Sequence, residues 1–281
     1  MTAQAFHTLP QLPDTDPSRE TRCLMGRHSE SEPRRRQAWI ILPAYNEERS
    51  LAPLLDRIEE AMGDDQLPFQ VIVVDDGSTD RTAEVAEEAA QRMPLRVERH
   101  EVNQGLGATI RDGLLRGCEL AEPRDFLITL DADNTHTPEL ILRMVRAVRE
   151  GHDVVIASRF RSGSRIRGVS LMRRMFSFGA SVLLRVLFPI RGVRDYTSGY
   201  RAYRAEVMQQ TIKASGPEFF DQDGFQVMVD ILLKLRRNND LIFGEVPLIL
   251  RYDMKDGSSK MDVGQTLRKT LALVVKRRLG R

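Results

Sequence analysis

Between Trp39 and Ser158 the chain alternates short runs of strand-forming residues with segments of helical periodicity, and this alternation limits the possible folds most. WIILPAY (39–45), QVIVVDD (70–76), LRVERHEV (95–102), FLITL (126–130) and DVVIAS (153–158) read as five strands. Between the first two, Leu51, Leu54, Leu55, Ile58 and Met62 recur at helical spacing, with Gly63 as a stop. A second helix carries Val85, Ala86, Ala89, Ala90 and Met93, and residues 107–120 form a third, weakened by its glycines. Thr137 reads as the N-cap of a fourth, with Pro138 at its first position and Leu140, Ile141, Met144, Val145 and Val148 on its apolar face. Such alternation predicts an α/β fold with a mostly parallel central sheet flanked by helices, in which ligands bind beyond the carboxyl ends of the strands. The rest is less regular. Residues 171–190 read as one or two helices, 195–204 as turn-rich, 224–237 as a helix, 245–250 as a strand, and a basic helix begins near Gln265.

The chain of 281 residues is 41% hydrophobic, enough for one large or two small cores. Lys plus Arg number 42 and Asp plus Glu 40, so the net charge of +2 gives no global attraction to nucleic acid. Residues 1–36, rich in Pro, Ser, Thr and charge, are expected to form a disordered tail. Cys23 and Cys118 lack metal or disulfide spacing, which fits a reducing, cytoplasmic setting. The first thirty-odd residues lack the apolar core of a signal peptide. No apolar run reaches the ~20 residues of a membrane-spanning helix; the longest, 171–190, is interrupted by Arg173, Arg174 and Arg185.

Three strands end in polar clusters: Tyr45-Asn46-Glu47, Asp75-Asp76-Gly77-Ser78 and Asp131-Ala132-Asp133. In a parallel sheet all three meet at one edge. Positions i and i+2 of an extended chain point the same way, so Asp131 and Asp133 repel unless something neutralises them. A hard divalent cation, Mg²⁺ or Mn²⁺, does so and fills its remaining positions with phosphate oxygens. Asp75 and Asp76 can accept hydrogen bonds from a base or ribose, while Ser78 or Asp80 caps the next helix.

The segments PAYNEE, VVDDGSTD, NQGLGATIRDG, DADNTHTP, ASRF, DYTSGYRAYR and RYDMKDGSSK occur in this order. Together they resemble the family 2 glycosyltransferases of GT-A fold, in the dolichol- or polyprenyl-phosphate mannosyltransferase branch, over roughly residues 38–262. The resemblance implies a GT-A domain at 37–262 and a basic amphipathic helix at 263–281. It implies that Pro43, Tyr45 and Glu47 line the base pocket together with Asp76, with Asp75 nearby, and so bind the nucleotide of a GDP- or UDP-hexose donor. Asp131 and Asp133 would hold the metal and the donor diphosphate, and Asp133 counts among the catalytic residues. Arg159 would sit near the acceptor phosphate or the transferred sugar, and Arg251 and Lys260 would grip the diphosphate from a segment that Gly257 lets turn. The branch pattern DADxQH has Thr135 at its glutamine here, which offers an oxygen of shorter reach.

The activity implied is inverting transfer of mannose or glucose to a polyprenyl or dolichyl phosphate, a lipid phosphate already ionised near neutral pH. The alternative is transfer to a hydroxyl on a glycan or small metabolite, which needs a carboxylate base. Asp221, Asp223 and Asp230 are the candidates, although Asp221 and Asp223 read more readily as helix caps. His136 reads as a supporting residue behind the metal, and His100 and His152 as structural. A nucleotide-dependent oxidoreductase is disfavoured because PAYNEE stands where a glycine-rich fingerprint would follow the first strand. A catalytically inert binding module is disfavoured because both aspartates, Arg251 and Lys260 are present. Residues 171–190 and 266–281 are basic and amphipathic. Each suits either core packing or peripheral contact with an anionic membrane, on its inner, cytoplasmic face.

Overall fold

The computed structural model describes residues 34–169, 171–252 and 263–279. The residues from Arg36 onward form one unit. Its centre is a seven-stranded sheet in the order β3-β2-β1-β4-β7-β5-β8. The strands are β1 (Ala38–Ala44), β2 (Phe69–Asp75), β3 (Leu95–Arg99), β4 (Phe126–Thr129), β5 (Val154–Ser158), β7 (Arg201–Arg204) and β8 (Phe243–Pro247). A separate two-stranded ribbon pairs β6 (Arg165–Arg167) with β9 (Ile249–Arg251). The helices are α1 (Glu48–Asp64), α2 (Thr82–Ala90), α3 (Leu106–Leu120), α4 (Leu140–Arg149), α5 (Leu171–Leu187), α6 (Ala205–Ser215), α7 (Val227–Leu235) and α8 (Val263–Leu279).

The strands are apolar on both faces because helices cover both. Ala38, Ile40 and Leu42 of β1, Val71 and Val73 of β2, and Phe126 and Ile128 of β4 share one core with α1, α2 and α4. The alternate residues Trp39, Ile41, Ile72, Val74 and Leu127 join a second core with α3, α6, α7 and the buried Leu273 and Val274 of α8. The glycines that weaken α3 as an isolated helix have a packing role. A Cβ at Gly113 would collide with Ile41, and one at Gly117 would come within 3.1 Å of Leu127. Their absence lets α3 lie close on β1 and β4.

The expected parallel order holds for β1, β2, β3 and β4. The turn-rich segment 195–204 departs from it: its last four residues form β7, antiparallel to both β4 and β5 and lying between them. The expected strand 245–250 divides at Leu248, whose N–H donates to Ser158 O while its carbonyl accepts from Arg165 N, each at 2.9 Å. The chain there leaves the main sheet for the ribbon. Thr137 does not cap α4. The helix begins at Leu140, and the Thr137 hydroxyl instead donates to Ile249 O on the ribbon at 3.2 Å.

Candidate active site

The strand register brings the acidic ends together. Ala44 pairs with Asp75 and Ile41 with Thr129, so 45–47, 75–78 and 131–133 leave three adjacent strands at one edge. The first two loops interlock: Asn46 N donates to Ser78 Oγ at 2.9 Å, Thr79 N to Asn46 Oδ1 at 2.8 Å and Glu47 N to Thr82 Oγ1 at 2.7 Å. Asn46 has φ 51°, a left-handed conformation that Asn tolerates better than most residues.

The two neighbouring aspartates differ. Asp76 Oδ1 accepts from Gln104 N and Oδ2 from Gly105 N, both at 2.8 Å, and His100 Nδ1 lies 2.8 Å from Oδ1. His100 Nε2 is in turn 3.0 Å from Asp112. Asp76 therefore anchors the NQGLG turn. Asp75 is completely buried, and its Oδ1 accepts from Ser78 N at 3.2 Å. Its Oδ2 has no hydrogen-bond partner, the Arg99 Nε contact being long at 3.4 Å. A buried carboxylate oxygen without a donor is costly unless a ligand N–H completes it. Pro43, Tyr45 and Glu47 are partly exposed beside it.

Asp131 and Asp133 follow β4. The Asp131 side chain is half-exposed. Asp133 Oδ1 accepts from the Thr135 hydroxyl at 2.6 Å and from Thr135 N at 3.2 Å. Buried Thr135, at the branch's glutamine position, thus orients Asp133. Asn134, at φ 56°, is held by Arg57 Nη1 at 3.0 Å. His136 packs its ring 5.1 Å from that of Tyr200, and its buried Nδ1 has no hydrogen-bond partner, lying 3.8 Å from Asp131 Oδ2. Among the described residues no third acid, His or Cys completes a metal cluster. Two carboxylates with the remaining positions left to water and phosphate oxygens suit Mg²⁺ or Mn²⁺, which keep much of their shell outside the protein. The donor set therefore fits the implied ion.

Arg159 follows β5; burial opposes its charge, but Asp195, with a smaller contribution from Asp131, outweighs it and raises the guanidinium above its ordinary value. Its Nε and Nη2 donate to Asp195 Oδ2 and Oδ1 at 2.8 and 2.7 Å, its own N–H donates to Oδ2 at 3.0 Å, and Nη2 reaches Thr197 Oγ1 at 2.5 Å. Thr197 N and Ser198 N also donate to Oδ1, at 3.2 and 3.1 Å. Burial opposes ionisation of Asp195, but Arg159 and these N–H groups outweigh it and hold the carboxyl below its usual range. Glu245 of β8 supports the loop from beneath, accepting from Arg194 N and Asp195 N at 2.6 and 2.7 Å. Burial pushes the Glu245 carboxyl up, against the pull of those two N–H groups. Arg201, fully buried, donates to the carbonyls of Ser198, Met228 and Tyr196. Asp195, Glu245 and Arg201 are absent from the sequence-derived site. DYTSGYRAYR carries the motif, but the pairing of Asp195 with Arg159 spans 36 residues and leaves no local pattern.

The Arg251 N–H donates to Thr135 O at 2.8 Å, which ties the ribbon to the Asp131–Asp133 loop. Lys260 and Gly257 lie outside the described residues. The candidate bases Asp221 and Asp230 are engaged elsewhere. Lys234 Nζ contacts both at 2.7 Å, Lys276 reaches Asp221 at 2.8 Å, and Arg277 pairs with Asp230 at 2.7 and 2.8 Å. Burial works against the Asp221 charge, but bonds from Lys234 and Lys276 pull its carboxyl far below the usual range. Neither Asp221 nor Asp223 caps α7, which starts at Val227 after Gln226. Instead the Asp223 carbonyl accepts from Gly107 N at 2.9 Å.

A mostly parallel sheet with acidic strand ends gathered on one edge defines the chain as a GT-A-type α/β protein. The Glycosyl transferase family 2 signature matches residues 39–212. The chain is 34% identical over 196 residues to a dolichol-phosphate mannosyltransferase of Pyrococcus furiosus, covering 69% of this chain and 52% of that protein. It thus spans about half the length of that relative. It is 33% identical over 234 residues to a polyprenol monophosphomannose synthase of Mycolicibacterium smegmatis, covering 83% of each. Among solved structures, it resembles glucosyl-3-phosphoglycerate synthase from Mycobacterium tuberculosis in complex with Mn²⁺, uridine diphosphate and phosphoglyceric acid. The TM-score is 0.63 at 25% identity, over 86% of this chain and 78% of that one. The chain belongs to glycosyl transferase family 2.

Proposed function

We propose that the chain transfers a hexose, mannose or glucose, from a GDP- or UDP-linked donor to a polyprenyl or dolichyl phosphate, with inversion at the sugar. The observation that carries this reading is the convergence of Asp75, Asp131 and Asp133 on one edge, with Arg159, pinned by Asp195, following β5 at the same edge. The relatives named for dolichol-phosphate and polyprenol monophosphomannose synthesis support the lipid phosphate acceptor. The structural neighbour's complex with Mn²⁺ and uridine diphosphate supports the donor class and the ion.

In this reading the unpartnered Asp75 Oδ2 accepts an N–H from the base, and Pro43, Tyr45 and Glu47 flank it, with Asp76 holding the NQGLG turn against it. Asp131 and Asp133 hold Mg²⁺ or Mn²⁺, and Thr135 keeps Asp133 aimed. When bound, the ion supplies positive charge to the departing diphosphate. Arg251 and Lys260 add charge from the protein side. Arg159, oriented by Asp195, directs a guanidinium N–H at the acceptor phosphate. An ionised phosphate oxygen attacks the anomeric carbon opposite the leaving group. The carbon–oxygen bond to the diphosphate breaks, and no proton needs removal. A hydroxyl acceptor would need a base; of the three candidates, Asp221 and Asp230 are tied to Lys234, Lys276 and Arg277, which leaves exposed Asp223 as the carboxylate for that alternative.

Peripheral contact with an anionic membrane on its cytoplasmic face follows from a lipid acceptor. No helix among the described residues is long and apolar enough to cross a membrane. Met175, Phe178 and Val186 of α5 are exposed apolar residues suited to the headgroup layer. The test is a screen of nucleotide-sugars with Mg²⁺ or Mn²⁺, with and without a short polyprenyl phosphate. The expected result is ion-dependent appearance of sugar on the lipid. No transfer from any hexose donor, or transfer undiminished by a chelator, contradicts the proposal.

A further inference from the structure

The membrane contact just proposed leaves open which cations meet the lipid. The basic end of α8 is largely occupied: Lys276 and Arg277 are within 2.8 Å of Asp221 or Asp230. The ribbon differs. Its strands are parallel, with Arg165 opposite Ile249, Ile166 opposite Leu250 and Arg167 opposite Arg251. Side chains alternate across a strand, and Ile166 and Leu250 pack on the core. Arg165, Arg167, Ile249 and the half-buried Arg251 therefore share the outer face, with Arg251 at its end next to the Asp131–Asp133 loop; Arg165 and Arg167 are exposed, and Ile249 is 37% exposed. No ion pair among the described residues engages Arg165 or Arg167. Two unneutralised guanidinium groups beside an exposed isoleucine complement a surface of lipid phosphates over acyl chains.

The ribbon's position makes this face consequential. It follows the carboxyl ends of β5 and β8, the same edge as the site, and is joined to the acidic loop by Arg251 N to Thr135 O and Thr137 Oγ1 to Ile249 O. Phe160, between β5 and β6, stacks edge-on with exposed Phe178 of α5 at 5.8 Å, so the apolar face of α5 adjoins it.

We propose that the outer face of the β6–β9 ribbon docks on an anionic membrane, with Arg165 and Arg167 on lipid phosphates and Ile249 entering the headgroup layer. The inference rests on the membrane reading above and gives it a surface. Arginine suits this task because its planar fork binds phosphate bidentately. Docking turns the site edge toward the bilayer, where a lipid-borne phosphate lies.

The test is sedimentation of the full chain with vesicles of phosphatidylcholine, alone or mixed with phosphatidylglycerol. The Arg165→Gln/Arg167→Gln variant should lose about 30-fold in affinity for the anionic vesicles, the cumulative effect of two basic residues near such a surface. The Arg143→Gln/Arg146→Gln variant of α4 removes the same charge from exposed positions elsewhere and should bind as wild type. Equal losses in both variants would mean that net charge alone acts, and would overturn the proposal. So would wild-type binding by the ribbon variant or absence of binding by the wild type. A thermal midpoint unchanged in the ribbon variant reports an intact fold. Vesicle binding is read without sugar transfer, so a chain that binds vesicles yet transfers nothing refutes the transferase reading and leaves this one standing.

Discussion

Replacing Asp195 with Asn removes one charge and almost no volume, and so isolates what holds Arg159. Asp195 is fully buried, and its two oxygens accept from Arg159 N, Nε and Nη2, Thr197 N and Ser198 N at 2.7–3.2 Å. An amide keeps one accepting oxygen. Whichever way it turns, its NH₂ faces at least two donors, and the guanidinium loses its counter-charge. Breaking one side of a buried pair costs about 3–5 kcal/mol. In a unit of this size, that lowers the thermal midpoint by roughly 6–20 °C. The measurement is urea and thermal unfolding of the wild type, Asp195→Asn, Arg159→Met and the double variant Arg159→Met/Asp195→Leu. The double variant should recover much of the loss, because an apolar pair leaves no stranded charge. The pH dependence gives a second reading. The folded carboxyl is held below its ordinary value, so its contribution is complete above about pH 4 and declines as the pH falls below that, where the unfolded chain binds the proton first. The Asn variant should show a flatter acid limb. A variant within about 0.5 kcal/mol of wild type, the range of ordinary surface substitutions, would refute the reasoning.

Other outcomes follow from the same structure. Gly113→Ala should destabilise the protein: overpacking against Ile41 costs about 1–3 kcal/mol, against about 1 kcal/mol gained in helix propensity. Equilibrium unfolding checks the sign. Burial pushes the Cys118 thiol up to about 12, so peptide mapping after alkylation at pH 8 should show slow labelling of Cys118 when folded and fast labelling in denaturant. Thr135→Val should weaken Mn²⁺ binding about tenfold by freeing Asp133 from its orienting hydroxyl, as measured by paramagnetic titration. Deleting 266–281 exposes Asp221 and Asp230 to loss of Lys276 and Arg277, and should lower stability more than it lowers vesicle affinity.

The sequence makes the parallel half legible because buried parallel strands appear as unbroken apolar runs and their covering helices as 3.6-residue patterns. The DxD loop and the strand-end acids are equally visible, since their chemistry is local. β7 is hidden because Arg201-Ala202-Tyr203-Arg204 presents two arginines in four residues, and burial of Arg201 depends on three carbonyls supplied by Tyr196, Ser198 and Met228. β6 is hidden for a related reason: its strand character comes from pairing with β9, more than eighty residues later. Asp195, Glu245 and the engagement of Asp221 with α8 share this non-local origin. Thr137 illustrates the limit of capping rules, since a hydroxyl with a cap's surroundings was taken by a neighbouring strand.

The central claim is that Asp131 and Asp133 form the seat of a divalent ion that carries the donor's diphosphate. Calorimetric titration of GDP and UDP into the full chain, with Mn²⁺ and then with a chelator, tests it directly, alongside Asp133→Asn. The account predicts that one nucleotide binds with Mn²⁺, and that its affinity falls at least about tenfold on chelation or in the variant. Equal affinity in all three conditions, or no affinity for either nucleotide, would contradict it.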